Sequence, residues 1–230
     1  MRTILIFFAA AAFAQTPSFE AATIKPSKDE AGHSGMHSRT SRIVLSGQTL
    51  KSLIAIAYHL KDTQVSGGPA WAGIERYDIN AESAGASEQP QLLLMLETLL
   101  AERFQLTFHH EERIMPAYAM TVVKSGLKIK PVDGSESHSM GSKGSFDAQG
   151  VTMAKIADIL ARDLKTPVDD LTGADGAYTF KLEWSTAGDD VALQDAMLDA
   201  FQRQLGIKLE LRKMPVDTLV IDRAEKPSEN

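Results

Sequence analysis

The sequence predicts an α+β protein built from two tandem copies of one β-α-β-β-α-β-β module, with helices packed on mixed or antiparallel sheets. Three observations lead to this fold class. Segments that alternate apolar and polar residues, typical of half-exposed strands, are interspersed with segments of helical periodicity. The same ordered set of segments occurs twice, over residues 42–123 and 144–221. Only two helices accompany the strands of each copy, which favours helices segregated on one face of a sheet.

Each copy opens with a short strand, a polar turn and an amphipathic helix. Thr49 and Thr152 stand at the start of the two helices, and threonine is a suitable N-cap. Apolar residues then recur at three- and four-residue spacing, which indicates one buried helix face. They are Leu50, Leu53, Ile54, Ala57 and Tyr58 in the first copy and Met153, Ile156, Ala157, Leu160, Ala161 and Leu164 in the second.

The remainder of each copy is also repeated. Period-two alternation predicts strands at 76–81 and 178–184, and a second helix follows each of them. Each copy then closes with a predicted hairpin, whose last strand begins after a Met-Pro pair, at Met115-Pro116 and at Met214-Pro215. Proline is tolerated at the start of a strand because its missing N–H is not yet needed there.

The first fourteen residues have the pattern of a signal peptide. Arg2 supplies a positive charge, Ile4 to Ala11 form a short apolar run, and Ala12-Phe13-Ala14 is a small-x-small cleavage pattern. We therefore expect a periplasmic or secreted protein without a membrane span after cleavage. The predicted organisation is a signal peptide (1–14), a leading strand and flexible loop (15–37), copy one (38–131), a Gly/Ser linker (132–142), copy two (143–224) and a polar tail (225–230).

Composition excludes several classes of protein. The 230 residues contain no cysteine, which excludes disulfide scaffolds, zinc ribbons and thiol catalysis. Lys and Arg total 24 against 30 acidic residues, giving a net charge of −6. A nucleic-acid groove needs clustered positive charge, so we expect no nucleic-acid partner.

Catalytic and metal motifs are absent from the sequence. There is no G-x-S-x-G elbow and no H-E-x-x-H helix, so no catalytic residue, metal ligand or cofactor is predicted. His109 and His110 are adjacent on a predicted strand and point to opposite faces, and His59 ends a helix.

Copper remains an open alternative. Imidazole and thioether ligands suit copper in an exported protein, and two loops carry them. The residues concerned are His33, Met36 and His37 in the first loop and His138 and Met140 in the second.

A glycine-rich turn carries the candidate binding residues. Gly67, Gly68 and Pro69 form a predicted rigid turn that places Trp71, with Tyr77 on the strand that follows. A large aromatic residue in such a loop either plugs the edge of the core or forms a recognition surface.

A resemblance to a known family is carried by six segments of the chain: 19–27, 67–71, 75–79, 99–104, 167–173 and 225–230. Together they resemble an uncharacterised family of secreted proteins expanded in soil acidobacteria, classed as a domain of unknown function. The resemblance implies no established activity or catalytic residue, although some longer members place the region behind a membrane metallopeptidase of the antibiotic-sensor type. Each copy is also similar in pattern to the short N-terminal domain of secretins and TonB-dependent receptors, which contacts partner proteins.

We expect an exported, non-catalytic binding protein of the cell envelope. Its ligand would be a protein, a peptide or a small molecule, recognised at a sheet edge or in the crevice between the modules. The alternatives are a secreted hydrolase with a site between the modules and a structural or assembly component of the envelope.

Overall fold

The computed structural model describes residues 16–28, 34–133 and 137–228. The predicted signal peptide, residues 1–14, lies outside the described residues. Four α-helices and three mostly antiparallel sheets make up this part of the chain, which confirms the α+β class. The helices are α1 (Leu50–Ala57), α2 (Gln89–Arg103), α3 (Met153–Asp163) and α4 (Asp190–Ala200). The strands are β1 (Ala21–Pro26), β2 (Gly35–Arg39), β3 (Arg42–Thr49), β4 (Val65–Gly67), β5 (Arg76–Glu82), β6 (Thr107–Val122), β7 (Pro131–Val132), β8 (His138–Ser142), β9 (Ser145–Thr152), β10 (Val168–Asp170), β11 (Ala177–Glu183) and β12 (Ile207–Arg223).

The chain divides into two compact units, and neither is a continuous stretch of sequence. Unit 1 comprises the described residues of 1–59, 67–108 and 221–230, and unit 2 comprises those of 60–66 and 109–220.

Unit 1 is a four-stranded sheet with α1 and α2. The strand order is β1-β5-β3-β2, and all three pairings are antiparallel. The side chain of Thr49 accepts a hydrogen bond from the N–H of Ser52, which caps α1 as predicted. The predicted face of α1 is confirmed at Leu50, Leu53, Ile54 and Ala57, which are buried, whereas Tyr58 is half-buried. In α2, Leu92, Leu96, Leu99 and Leu100 are buried.

Unit 2 contains a sheet of matching order with α3 and α4. The order is β7-β11-β9-β8, again antiparallel, and Thr152 caps α3 through the N–H of Lys155. The third sheet, of order β10-β6-β12-β4, lies almost entirely in this unit, and β10 pairs with β6 in parallel.

Glycine bulges replace the polar turns predicted before α1 and α3. The register shifts after Leu45 in β3 and next to Gly150 in β9. Gly47 and Gly150 have φ of +62° and +60°, values that glycine adopts without a steric penalty. Each strand therefore continues through the bulge to its capping threonine.

The hairpin predicted at the end of each copy is wrong. Residues 107–122 and 207–223 each form one continuous strand, β6 and β12, so the predicted order β-α-β-β-α-β-β has one strand too many. The charged run from Glu111 to Arg113 has the composition of a turn between the two strands of that hairpin, but its side chains are exposed along an extended strand with solvent on both faces.

Two strands lie in segments that sequence predicts to be loop and linker. β2 and β8 each add to the edge of a sheet, next to β3 and β9. Neither strand shows the alternation of apolar and polar residues that marks a half-buried strand. An edge strand is held by hydrogen bonds on one side and packs only partly on its inner face, so this alternation is not required of it.

Candidate functional site

The edge strand β8 borders the candidate site in unit 2. Ser139 and Gly141 lie opposite Ala148 and Phe146 of β9, which are buried, so both small residues are on the inner side of the sheet. Met140, between them, lies opposite Asp147 on the outer side and is 63% exposed. Small residues on the inner side leave space beneath the strand.

That space is a cavity of about 310 Å³, which we call the β8 cavity. Its volume corresponds to roughly ten waters at the density of the liquid. The apolar part of the lining comes from Phe146, Ile159, Leu160, Trp184, Met197 and Phe201, and the rest from Ser139, Gly141, Ser142, Ser145, Arg162 and Asp163.

Phe146 and Phe201 form the floor of the β8 cavity, and Phe180 packs against Phe146. The ring centroid of Phe146 lies 5.9 Å from that of Phe180 and 6.2 Å from that of Phe201. Phe201 begins a π-helical turn at the end of α4, and this turn ends at Gly206 with φ of +77°. A Cβ atom at Gly206 would lie 2.3 Å from the carbonyl oxygen of Gly126, so glycine is required for the chain to leave the turn there.

The rim of the cavity is polar and of mixed charge. The hydroxyls of Ser142 and Ser145 are 2.7 Å apart, within hydrogen-bonding distance. Arg162 and Asp163 lie at the end of α3 with side chains 72% and 50% exposed, and their closest charged atoms are 3.9 Å apart. Burial lowers the pKa of Lys61, the positive charge of Arg162 lowers it further, and the carboxylates of Asp158 and Asp163 partly oppose this. Such a rim can orient a ligand without selecting strongly for either sign of charge.

Trp184 is held at the mouth of the cavity by its backbone. Its N–H donates to the carbonyl oxygen of Gly144 at 2.9 Å, which ties the end of β11 to the turn between β8 and β9. The side chain is partly buried against the core of unit 2. An indole in this position offers an apolar surface to a ligand and a fluorescent reporter of its binding.

The candidate binding residues predicted from sequence lie in unit 1. Trp71 is half-buried in a short 3₁₀ turn, and its ring stacks on Phe104 at 6.4 Å and meets the edge of Tyr77 at 6.4 Å. Tyr77 and Phe104 are buried and lie 5.3 Å apart, edge to face. We call these three residues the aromatic cluster. The structure thus brings Trp71 and Tyr77 together around Phe104, which is not among the binding residues predicted from sequence.

Gly67, Gly68 and Pro69 act on this cluster through the backbone. The two glycines have φ of +73° and +72°, and the N–H of Gly68 donates to the carbonyl oxygen of Ile221 at 2.9 Å. The carbonyl of Pro69 accepts from the N–H of Ala72 and starts the turn that carries Trp71. These contacts fit the predicted rigid turn, and the binding role of the triplet remains a prediction.

The C-terminal tail lies against the aromatic cluster. The N–H of Glu225 donates to the carbonyl oxygen of Phe104 at 2.7 Å. The ammonium of Lys226 donates to Glu75 at 2.5 Å and lies 6.0 Å from the centroid of the Trp71 ring. This contact with Lys226 lowers the pKa of Glu75, whereas burial raises the pKa of Tyr77 to about 12. The tail therefore covers part of the surface that Trp71 would otherwise present.

His110 has a carboxylate partner. Nδ1 of His110 lies 2.8 Å from an oxygen of Asp217, in unit 2, and both side chains are more than half exposed. Thr218 of the same strand donates to the carbonyl oxygen of Glu111, and Thr121 donates to that of Lys208. Because these contacts run in opposite directions along β6 and β12, the two strands are antiparallel. Neither His110 nor Asp217 lines the β8 cavity.

The copper ligands considered above fall on two strands. Met36 and His37 are neighbours on β2, where they pair with Leu45 and Val44, and His138 and Met140 lie on the outer side of β8. His33 lies outside the described residues. Within the described part of the chain, no group of three or more His, Asp or Glu side chains could hold a metal ion.

The fold and the cavity define a cysteine-free α+β protein with a partly apolar pocket at a sheet edge. The chain belongs to the family described as Protein of unknown function (DUF3738), whose family model matches residues 51–224. No curated protein and no solved structure matched the chain. None of the helices in the described ranges combines the length and apolar character needed to cross a membrane.

Sequence reasoning missed the β8 cavity because its wall belongs to the predicted linker. A signal was nevertheless present in the comparison of the two edge strands. Met36 of β2 pairs with buried Leu45 just as Ser139 of β8 pairs with buried Ala148. A large side chain in one strand therefore corresponds to a hydroxymethyl group in the other, which predicts unfilled volume beside β8.

Proposed function

We propose that the protein is an exported, non-catalytic binding protein of the cell envelope that takes its ligand at the edge of a sheet. The observation that carries the proposal is the β8 cavity, which combines an apolar floor with a few polar groups at an open strand edge. This combination is typical of ligand sites, in which apolar surface supplies affinity and a few polar groups orient the ligand.

The proposal includes an internal duplication. Support comes from the matching sheet orders β1-β5-β3-β2 and β7-β11-β9-β8, each followed along the chain by one strand of the third sheet. The threonine caps and the glycine bulges recur at the same steps. The similarity in pattern to the short N-terminal domain of secretins and TonB-dependent receptors is part of this proposal and favours a protein or peptide ligand.

Binding is tested with N-acetyl-phenylalanine amide, an apolar side chain flanked by two peptide groups. We expect saturation-transfer NMR to detect its binding to the mature chain and Trp184 fluorescence to change on titration. Ser139→Met should abolish both signals because its side chain occupies the part of the cavity beside β8, whereas Met140→Ser, on the outer side of β8, should leave them unchanged. No binding to the unaltered protein would contradict the proposal.

Export is tested separately. N-terminal sequencing of the protein recovered from the envelope or medium should give a chain that begins at Gln15. A chain that keeps Met1 and remains in the cytoplasm would contradict export but would leave the binding site untouched.

A hydrolase is the second candidate, favoured by the contact between His110 and Asp217. A carboxylate that holds Nδ1 can orient an imidazole as a general base. Fluorogenic ester, phosphate and peptide substrates test this function. Turnover that His110→Ala abolishes would overturn the non-catalytic proposal.

A further inference from the structure

We infer that the ligand of the β8 cavity is an extended peptide segment that pairs with β8 as an additional strand and inserts one large apolar side chain into the cavity. The inference rests on the proposed binding function and names its ligand class. Strand addition to an open sheet edge is a common mode of peptide recognition, in which the main chain supplies affinity and pockets for alternate side chains supply specificity.

The edge of β8 is open. The sheet order β7-β11-β9-β8 ends at this strand, so within the described residues only one of its sides carries a strand partner. The backbone N–H and C=O groups on the other side point away from the sheet. A second extended backbone can pair with these groups, because N–H donors and C=O acceptors alternate along the facing sides of both strands.

β8 also lacks the residues that protect other edges. Charged side chains and proline on an edge strand discourage the addition of further strands. β1 ends in Lys25 and Pro26, and β2 ends in Arg39, whereas β8 reads His-Ser-Met-Gly-Ser over five residues. An edge of this length can pair with a segment of similar length without charge repulsion or a missing donor.

The cavity lies where the second strand would place a side chain. Side chains of an added strand alternate between the two faces of the sheet, so every second one enters the inner face beside Ser139 and Gly141. The floor formed by Phe146 and Phe201 is apolar, and the volume exceeds that of a few waters. A phenylalanine, leucine or methionine side chain of the peptide matches this chemistry.

A second copy of this chain is not the occupant that the geometry favours. Two β8 strands related by a twofold axis would pair antiparallel with their inner faces on the same side. Each would then present Ser139 and Gly141 to the cavity of the other, and neither side chain can fill it. A different segment that carries a large apolar residue does fill it.

The test uses a phage-displayed library of linear random peptides, selected against the mature protein. We expect the selected peptides to share one large apolar residue and to bind at least about tenfold more weakly to Ser139→Met, because burial of one such side chain changes an equilibrium constant by this order. Met140→Ser is the matched control on the outer side of the same strand and should retain binding. Gly141→Leu is a second variant that places an apolar side chain in the cavity. Its backbone is not left-handed, and a Cβ there would meet only Phe146, at 3.7 Å.

N-methylation along the selected peptide tests strand pairing itself. Since successive N–H groups of a strand point to opposite sides, methyl groups at alternate positions should abolish binding and those between them should not. Binding that depends on Ser139 but tolerates every N-methyl group would overturn strand addition and leave the proposed binding function intact.

The other outcomes also decide the inference. Failure to select any peptide, together with binding of N-acetyl-phenylalanine amide, would overturn the peptide assignment alone. Failure of both would overturn the proposed function as well. A dimer in sedimentation that Gly141→Leu disrupts would show that the edge pairs with a second copy instead.

Discussion

Filling the β8 cavity should stabilise the protein while it removes the proposed binding. In Ser139→Met the new side chain enters a space of about 310 Å³, whose lining includes Phe146 and Leu160. Full burial of a methionine side chain contributes about 1.5–3 kcal/mol. Residue 139 is partly exposed, so we expect less than full burial gives, about 1 kcal/mol, which lies within the range of cavity-filling substitutions.

The assay is urea unfolding of the mature chain followed by circular dichroism. In thermal unfolding of a chain of this size, the same 1 kcal/mol corresponds to a rise in Tm of about 2–4 °C. The control Met140→Ser alters a side chain that is 63% exposed and should change the free energy of unfolding by less than about 0.5 kcal/mol. Met36→Ser makes the reverse change in β2, where the methionine is half-buried, and should destabilise by about 1 kcal/mol.

A loss of stability in Ser139→Met would refute this reasoning. A decrease of about 1 kcal/mol or more is what overpacking produces, and it would mean that the space beside Ser139 is already filled by its neighbours. An increase in stability without loss of the binding of N-acetyl-phenylalanine amide would place that ligand elsewhere.

Three other predictions concern the two units. Phe104→Ala should lower the free energy of unfolding by about 3–5 kcal/mol because its ring is fully buried; a urea-unfolding loss below about 1 kcal/mol would contradict this role. Tyr58 and Tyr77 have pKa values raised to about 12, chiefly by burial, so absorbance titration should show two tyrosines ionising late. Because these tyrosines ionise near pH 10 in the unfolded state, the free energy of unfolding should fall as pH rises from about 10 to 12. Titration of both tyrosines near pH 10 in the folded protein would contradict this prediction. Fragments 15–135 and 136–230 should each be unfolded alone and regain circular dichroism when mixed, since unit 2 takes residues from both. Cooperative unfolding of either fragment alone would contradict this.

Helices and their starting points were predictable because their determinants are local. The apolar spacing after Thr49 and Thr152 specifies which face of α1 and α3 is buried, and the hydroxyl of each threonine caps the helix three residues away. These interactions span a few residues, so the sequence contains all of the information that they need.

The edge strands and the long strands β6 and β12 were less predictable. The inner side of β8 carries Ser139 and Gly141, so no apolar alternation marks it, and its hydrogen bonds come from β9. The charged residues at the start of β6 resemble a turn, but both faces of that stretch are exposed. Composition alone does not separate a solvated strand from a loop.

The candidate sites show the same division. Trp71 and Tyr77 stand out in the sequence as large aromatic residues near a glycine-rich turn, and they do lie together. Phe104 and Lys226, which complete their surroundings, come from distant segments. The lining of the β8 cavity comes from β8, β9, α3, α4 and the end of β11. These segments are distant in sequence, so no short motif predicts the cavity.

The sequence by itself determined the α+β class, the buried faces of α1 and α3 and the threonine caps of these two helices, because periodicity and capping act over one or two turns of chain. Tertiary structure alone decided which strands became edges, how segments were shared between the units, and where volume was left unfilled. Ser139 is a small polar residue in a predicted linker when read along the chain, and the wall of a cavity once β9 and α3 are packed around it. Pairing between distant strands and the fit of side-chain volumes are properties of the packed molecule, and these two properties created the candidate site.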